Sequence, residues 1–290
     1  MNKNNNIIKI SGSPEGFDAD LIIKEVNSGK TAIHVCRDDK RLLETKQALQ
    51  FYNAGFEILE FPAWDCLPYD RVSPSLTIVS KRISTLSKLT REEANPFVVL
   101  TTVAAITQKT QSIKTIRETV FNLNVGTQVN LDNLTAYLVR MGFSKCATVM
   151  EPGDYSLRGG IIDIFPPSYK KPIRLDLFGD TLETIRSFDQ NTQIGKDRIK
   201  SVTLTPASEV ILDQSGVENF RKNYRAEFGA PSSDDGVYEA VTAGMKYQGL
   251  EHWLPFYYEE LANLFDYLPK ATIFLDESFE MIVQDLSLIH

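Results

Sequence analysis

Cysteine and histidine are scarce in this 290-residue sequence. Its three cysteines, Cys36, Cys66 and Cys146, are odd in number and far apart. That excludes a disulfide framework and a zinc site of the closely spaced type, and it points to a reducing, cytoplasmic setting with the thiols simply buried. His34, His252 and His290 are equally dispersed, so no metal-ligand set arises from them, and no nucleophile–base pair is recognisable. Long apolar runs are also missing. Residues 1–6, with Lys3 and a run of asparagines, lack the apolar stretch of a signal peptide or membrane span, and no membrane partner is expected. Positive charge is the minority sign: 31 lysines and arginines against 38 acids leave a formal charge of -7. A chain whose main task is gripping nucleic acid would usually be basic.

The composition that remains, 42% hydrophobic and 24% charged, is that of a globular protein with two domains or one domain carrying a large insertion. Residues 7–10, 31–36, 57–61 and 97–101 read as buried strands. The stretches 18–27, 38–52 and 76–89 between them carry helical spacing, which together predicts a parallel sheet with flanking helices. After about residue 115 the pattern changes. Asp132 or Asn133 is positioned to cap a helix in which Leu134, Leu138 and Met141 share a face, ended by Gly142. Short strands and tight turns follow from 150 to about 205. Helices at 214–228 and 259–267 and a last strand at 271–275 come after a loop at 229–236. The expected organisation is an α/β core over 1–115, an inserted β-rich α+β subdomain over 116–206, and a return to the core over 207–290.

A strand at 7–10 followed by Ser11-Gly12-Ser13-Pro14-Glu15-Gly16-Phe17-Asp18 and a helix is the setting of a phosphate-binding loop, but the chemistry does not follow. A working loop is G-x-x-x-x-G-K-[ST], its lysine reaching the terminal phosphates and its hydroxyl holding magnesium. Here Gly12 and Gly16 are one residue too close, Phe17 and Asp18 occupy the lysine and hydroxyl positions, Glu15 repels phosphate, and Pro14 lacks a backbone donor. Near the other end, the apolar run at 273–275 leads into Asp276-Glu277-Ser278, as in a magnesium-binding strand. The pair reads as a degenerate nucleotide site: Gly12, Gly16, Phe17, Asp18, Asp276 and Glu277.

Gly179-Asp180 between two alternating segments signals a β-hairpin. A regular two-residue turn pairs Phe178 with Thr181, Leu177 with Leu182, Asp176 with Glu183 and Arg174 with Ile185. Ile173, Leu175, Leu177 and Leu182 then form a core face. Arg174, Asp176, Phe178, Glu183 and Ile185 form the opposite face, which either meets another protein or is covered by a neighbouring element. Upstream, Gly159-Gly160 permits a bulge that aims Arg158 outward. Trp64, Pro62 and Pro68 form either a base-stacking platform or a rigid loop on the core.

The stretches GDYSLRGGIIDIFP (153–166) and IRLDLF (173–178) resemble the segment shared by the excision-repair helicase UvrB and the transcription-repair coupling factors. FPAWDCLPYD (61–70) and GLEHWLP (249–255) are similar to the coupling factors in particular. The resemblance covers nearly the whole chain, weakest at 1–30 and 208–235. It implies a helicase-like core with an inserted UvrA-binding subdomain, and it carries over Arg158, Arg174 and Phe178 as UvrA contacts. In such a family RNA polymerase and double-stranded DNA are engaged elsewhere in a longer protein, whose motor alone uses ATP and magnesium. No cofactor is expected in this segment. The DNA-gripping hairpin of UvrB is shortened here, since 72–75 leads directly into a helix. Two classes of function remain: a UvrA-recruiting binding module, and a divergent UvrB-like ATP-dependent helicase subunit, which would need a lysine near Phe17.

Overall fold

The computed structural model describes residues 7–284 except 53, 68–69, 92–94, 233–234, 278 and 280. It divides into two compact units, one drawn from within 1–59, 94–103 and 270–290, the other from within 60–93 and 104–269. No helix among the described residues is long and apolar enough to cross a membrane.

The first unit is built on β1 (Ala32–Cys36), β2 (Glu57–Phe61), β3 (Phe97–Thr102) and β14 (Thr272–Leu275), in the sheet order β14-β1-β3-β2. β1 runs parallel to both β3 and β14. Every residue of β1 and β3 is buried, as near-continuous apolar strands in a parallel sheet should be. Helices α1 (Phe17–Asn27) and α2 (Asp39–Phe51) cover one face, Ala19, Ile22, Leu42 and Leu49 packing with Ala32, Cys36, Val98 and Leu100. Residues 7–10, expected as a strand, are not one. None of the described strands pairs with them, and Ile7 and Ile8 are about four-fifths exposed (81% and 80%). β-branched composition without a ladder partner does not make a strand.

In the second unit β4 (Thr110–Gln111) pairs with β13 (Leu261–Ala262), and β5 (Phe121–Asn124) with β12 (Ser201–Leu204). A six-stranded mixed sheet holds β6 (Ser144–Lys145), β7 (Asp154–Arg158), β8 (Ile161–Ile164), β9 (Ile173–Phe178), β10 (Thr181–Phe188) and β11 (Gly195–Ile199), in the order β11-β10-β9-β8-β7-β6. The remaining helices are α3 (Leu76–Leu89), α4 (Val103–Thr107), α5 (Ile113–Glu118), α6 (Leu131–Arg140), α7 (Gln214–Phe228), α8 (Gly236–Thr242), α9 (Leu254–Tyr257) and α10 (Leu264–Tyr267). The α/β class expected from the pattern is present, with its β-rich part in this sheet.

α6 lays Leu134 and Leu138, with Met141 just beyond it, on the sheet residues Ile162, Ile164, Leu175, Leu182 and Ile185. Its cap is Asn130, whose side chain accepts from the Asn133 N–H. Asp132, expected as a cap, lies inside the first turn, where a carboxylate suits the positive end of the helix. The helix expected at 259–267 is broken, because Leu261 and Ala262 pair with β4 as β13; only α9 and α10 flank the break. At the centre of this unit Arg82 and Glu209 form a fully buried ion pair at 2.7 Å. Arg82 also donates to the Pro62 carbonyl and Gln108, while the Trp64 indole N–H donates to Glu209. With the Arg82 guanidinium also close to its ring, Trp64 is fixed in a rigid loop on the core; Pro68 lies outside the described residues.

Candidate functional site

Two regions collect the residues singled out by the sequence. The first is a cleft of about 470 Å³ in the first unit, lined by Ser13, Pro14, Glu15, Asp18, Asp276 and Glu277 among others. Gly12 and Gly16 both have positive φ, and Gly16 caps α1 without a side chain to offer. The Phe17 N–H donates to the Pro14 carbonyl, so it is not free for a phosphate. Asp18 accepts from Arg41 at 2.8 Å, and Arg41 also approaches Asp276 at 3.5 Å. Asp276 accepts from the Arg37 N–H and pairs with buried His34 at 3.1 Å. Burial pushes the Asp276 carboxyl up, but these partners together hold it below the ordinary aspartate range. Asp18 and Asp276 are therefore already engaged by neighbouring cations, and Glu15, Asp18, Asp276 and Glu277 set four carboxylates where a nucleotide would bring its phosphates. The residues do not fit ATP and magnesium. His34, Cys36 and Asp276 offer three metal-ligating atoms within 4.8 Å of one another. Asp276 is already engaged, the Arg41 cation lies beside it, and burial raises the Cys36 thiol to about 12, so this triad is poorly disposed toward a cation.

The second region is the face of the six-stranded sheet turned away from α6. Gly179 adopts φ 59, while Asp180 keeps a negative φ, as in a two-residue turn with glycine leading. Phe178 pairs with Thr181 and Leu177 with Leu182, as expected. The next pairs are different: Thr184, not Glu183, faces Asp176, and Arg186, not Ile185, faces Arg174. A bulge at Glu183 causes the shift. Leu182 is bonded on its other side to Gly126 and Thr127, and the Val129 N–H donates to the Asp180 carbonyl, so β10 is held from both edges where it leaves the turn. One extra residue sends Ile185 inward, where it is 1% exposed in the core. Ile185 therefore does not belong to the outward face.

The outward face carries a cross-strand row of Ser156, Asp163, Arg174, Arg186 and Arg198. Three arginines abreast on adjacent strands repel one another unless countercharges intervene. Asp163, only 2% exposed, receives a fork from Arg174 at 2.7 and 2.8 Å. Asp176 accepts from Arg186 at 2.6 Å and from the Thr184 hydroxyl, and these bonds overcome its burial to keep its carboxyl low. Arg198 is exposed, with no ion-pair partner among the described residues, and the Arg186 Nε is buried without an acceptor. The Arg174 guanidinium also covers the Phe188 ring at 4.9 Å. Arg174 thus lies on the outward face as expected, yet it is part-buried and committed to Asp163, so removing it costs stability as well.

Phe178, at the hairpin tip, is 77% exposed, and Ile161, directly opposite Asp176, is 40% exposed. Arg158 is exposed and donates to the Ala147 carbonyl. Gly160 lets the neighbouring strand close in: a Cβ there would stand 2.7 Å from the Leu177 carbonyl oxygen. Asp163, Ile161, Arg186 and Arg198 were not singled out by the sequence. The one signal for Asp163 was a lone charge inside the apolar run 161–165; Ile161 is placed by the regular pairing of β8 with β9, and the Arg186–Arg198 part of the row depends on the bulge.

This same sheet lies within residues 121–210, which match the UvrB interaction domain family. Beyond that segment, 264 residues, 90% of this chain, are 33% identical to a transcription-repair-coupling factor of Haemophilus influenzae and cover 23% of it. A transcription-repair-coupling factor of Myxococcus xanthus is 35% identical over 236 residues, and that of Escherichia coli 30% over 220. The chain is an amino-terminal, UvrB-like region of the transcription-repair coupling factor family. It spans about a quarter of the length of the coupling factors it matches. Its UvrB interaction segment and its acid-lined cleft fall in different units of the coupling-factor region.

Proposed function

We propose that this chain is the UvrA-recruiting, non-catalytic module of a transcription-repair coupling factor, linking stalled RNA polymerase to nucleotide excision repair. The observation that carries the proposal is the solvent-facing Phe178 at the hairpin tip, on the same sheet face as a row of arginines, inside the segment that matches the UvrB interaction domain. Phe178 is the apolar anchor, since exposed aromatics and arginines dominate the energetics of protein contacts. Arg158, Arg174, Arg186 and Arg198 offer planar donors suited to carboxylates of UvrA. In the longer protein, ATP, magnesium, double-stranded DNA and RNA polymerase would be handled by other parts, with this module needing no cofactor.

The test is calorimetric titration of the chain with purified UvrA. Phe178→Ala should weaken binding by about 30-fold or more, the loss of a contact worth ~2 kcal/mol, with an unchanged melting curve. Arg198→Ala should weaken binding more at low salt than at high salt. An intact chain that fails to bind UvrA, or a Phe178→Ala variant that binds equally well, overturns the proposal.

A further inference from the structure

We infer that a cavity between α3 and β12 is a binding site for a small tetrahedral oxyanion of the phosphate class. The cavity is about 210 Å³ and is lined on one side by Ser84, Ser87, Lys88 and Arg91, on the other by Thr203 and Thr205, with Ser168 and Tyr169 alongside. Spacings of three, four and seven residues from Ser84 make the first group one stripe of the helix and its end. Alternation along the strand places Thr203 and Thr205 on one side, while Val202 and Leu204 enter the hydrophobic core on the other. Two independent periodicities therefore aim polar side chains into a single space.

Every lining side chain is a hydroxyl or a cation, and none is a carboxylate. Two of the hydroxyls are deeply buried and lack a hydrogen-bond partner: Ser87 at 2% exposure and Thr205 at 1%. Such groups are normally satisfied, because leaving them bare costs free energy. The Tyr169 hydroxyl accepts from the Thr203 N–H, which leaves its own hydrogen to donate. The site thus has a surplus of donors, and the ligand that answers it is rich in acceptors and negatively charged. The C-terminal end of α3 would ordinarily disfavour an anion. Here its last carbonyls are occupied: Thr90 Oγ1 donates to Ser87 O, the Arg91 N–H to Lys88 O, and Arg117 Nε to Thr90 O.

The probe is inorganic phosphate, titrated into the full chain at low ionic strength against a matched chloride control. We expect one saturable site, weakened on the order of tenfold by Ser87→Ala and by Arg91→Gln, each removing one bond to the anion. Arg198→Ala, which alters only the exposed sheet face, should leave phosphate binding unchanged and so separates this cavity from the arginine row. Both cavity variants should melt like the parent, because neither side chain fills the hydrophobic core. A short DNA duplex serves as the second arm. Heats equal to the chloride control, affinity untouched by Ser87→Ala and Arg91→Gln, or binding of the duplex but not of phosphate each overturn the inference.

Discussion

Arg174→Ala should destabilise the chain before any partner is considered. In the folded state Asp163 is 2% exposed and accepts both of its short charged bonds from Arg174. Removing one member of a fully buried pair typically costs ~3–5 kcal/mol, because an uncompensated charge remains. The Arg174 side chain keeps 22% of its exposure, so water can reach the site, and we expect about 2–3 kcal/mol. At roughly 2–4 °C per kcal/mol for a chain of this size, the melting temperature should fall by about 4–12 °C. Asp163→Asn combined with Arg174→Gln replaces the ion pair by a neutral hydrogen-bonding pair and should recover at least half of that loss. The measurement is a double-mutant cycle by denaturant unfolding, with an expected coupling of ~1–3 kcal/mol. An Arg174→Ala variant as stable as the parent, or strictly additive single changes, would refute the assignment of Arg174 as the counterion of buried Asp163.

Three further outcomes are expected. Ile185→Ala should cost about 2–5 kcal/mol, as a core truncation does, whereas Glu183→Ala at the bulge should change stability by less than ~0.5 kcal/mol; thermal melts showing the reverse would restore the regular register. Asp276 and Asp176 are held low by their partners. Depressed carboxylates contribute stability that is fully present above the unfolded value of ~3.9 and is lost as pH falls through the folded value. Melting temperatures should therefore be steady from neutral to about pH 5 and drop below about pH 4, with a shallower drop in Asp276→Asn. Incubated with ATP and magnesium, with or without DNA, the chain should release no phosphate above a buffer control, since Phe17 and Asp18 stand where a lysine and a hydroxyl are needed.

The sequence made the parallel strands legible because burial on both faces leaves a continuous apolar signature, as in β1 and β3. α7 was equally plain, placed at 214–228 ahead of the loop that opens at Gly229, while its capping residue, Asp213, emerged only from the structure. The hairpin turn was legible too, but not its register. A bulge is decided by what lies on the far edge of the strand, and the bonds from 126–129 come from residues some fifty positions away. Residues 7–10 misled for a related reason, since strand propensity describes a surface that fits a ladder and not the presence of the ladder. The residues that line the cleft, Pro14, Glu15, Asp18, Asp276 and Glu277, could be picked out from the chain alone. That Arg41 would lock Asp18 to Asp276 could not be read, because the three come together only through α1, α2 and β14.

The arginine row ties stability and recognition into one structure, which decides how it can be probed. Asp163 and Asp176 each consume part of the positive charge that three neighbouring guanidiniums create, so Arg174 and Arg186 are structural counterions as well as candidate contacts. Substituting either confounds folding with binding. Phe178, Arg158 and Arg198 carry no comparable obligation: Phe178 is mostly in solvent, Arg158 is exposed with only a carbonyl as partner, and Arg198 has no countercharge among the described residues. Changes in affinity at those three positions, at constant stability, therefore report on the partner alone. If the row exists only to hold the sheet together, all three should be silent in binding while Arg174→Ala still lowers the melting temperature.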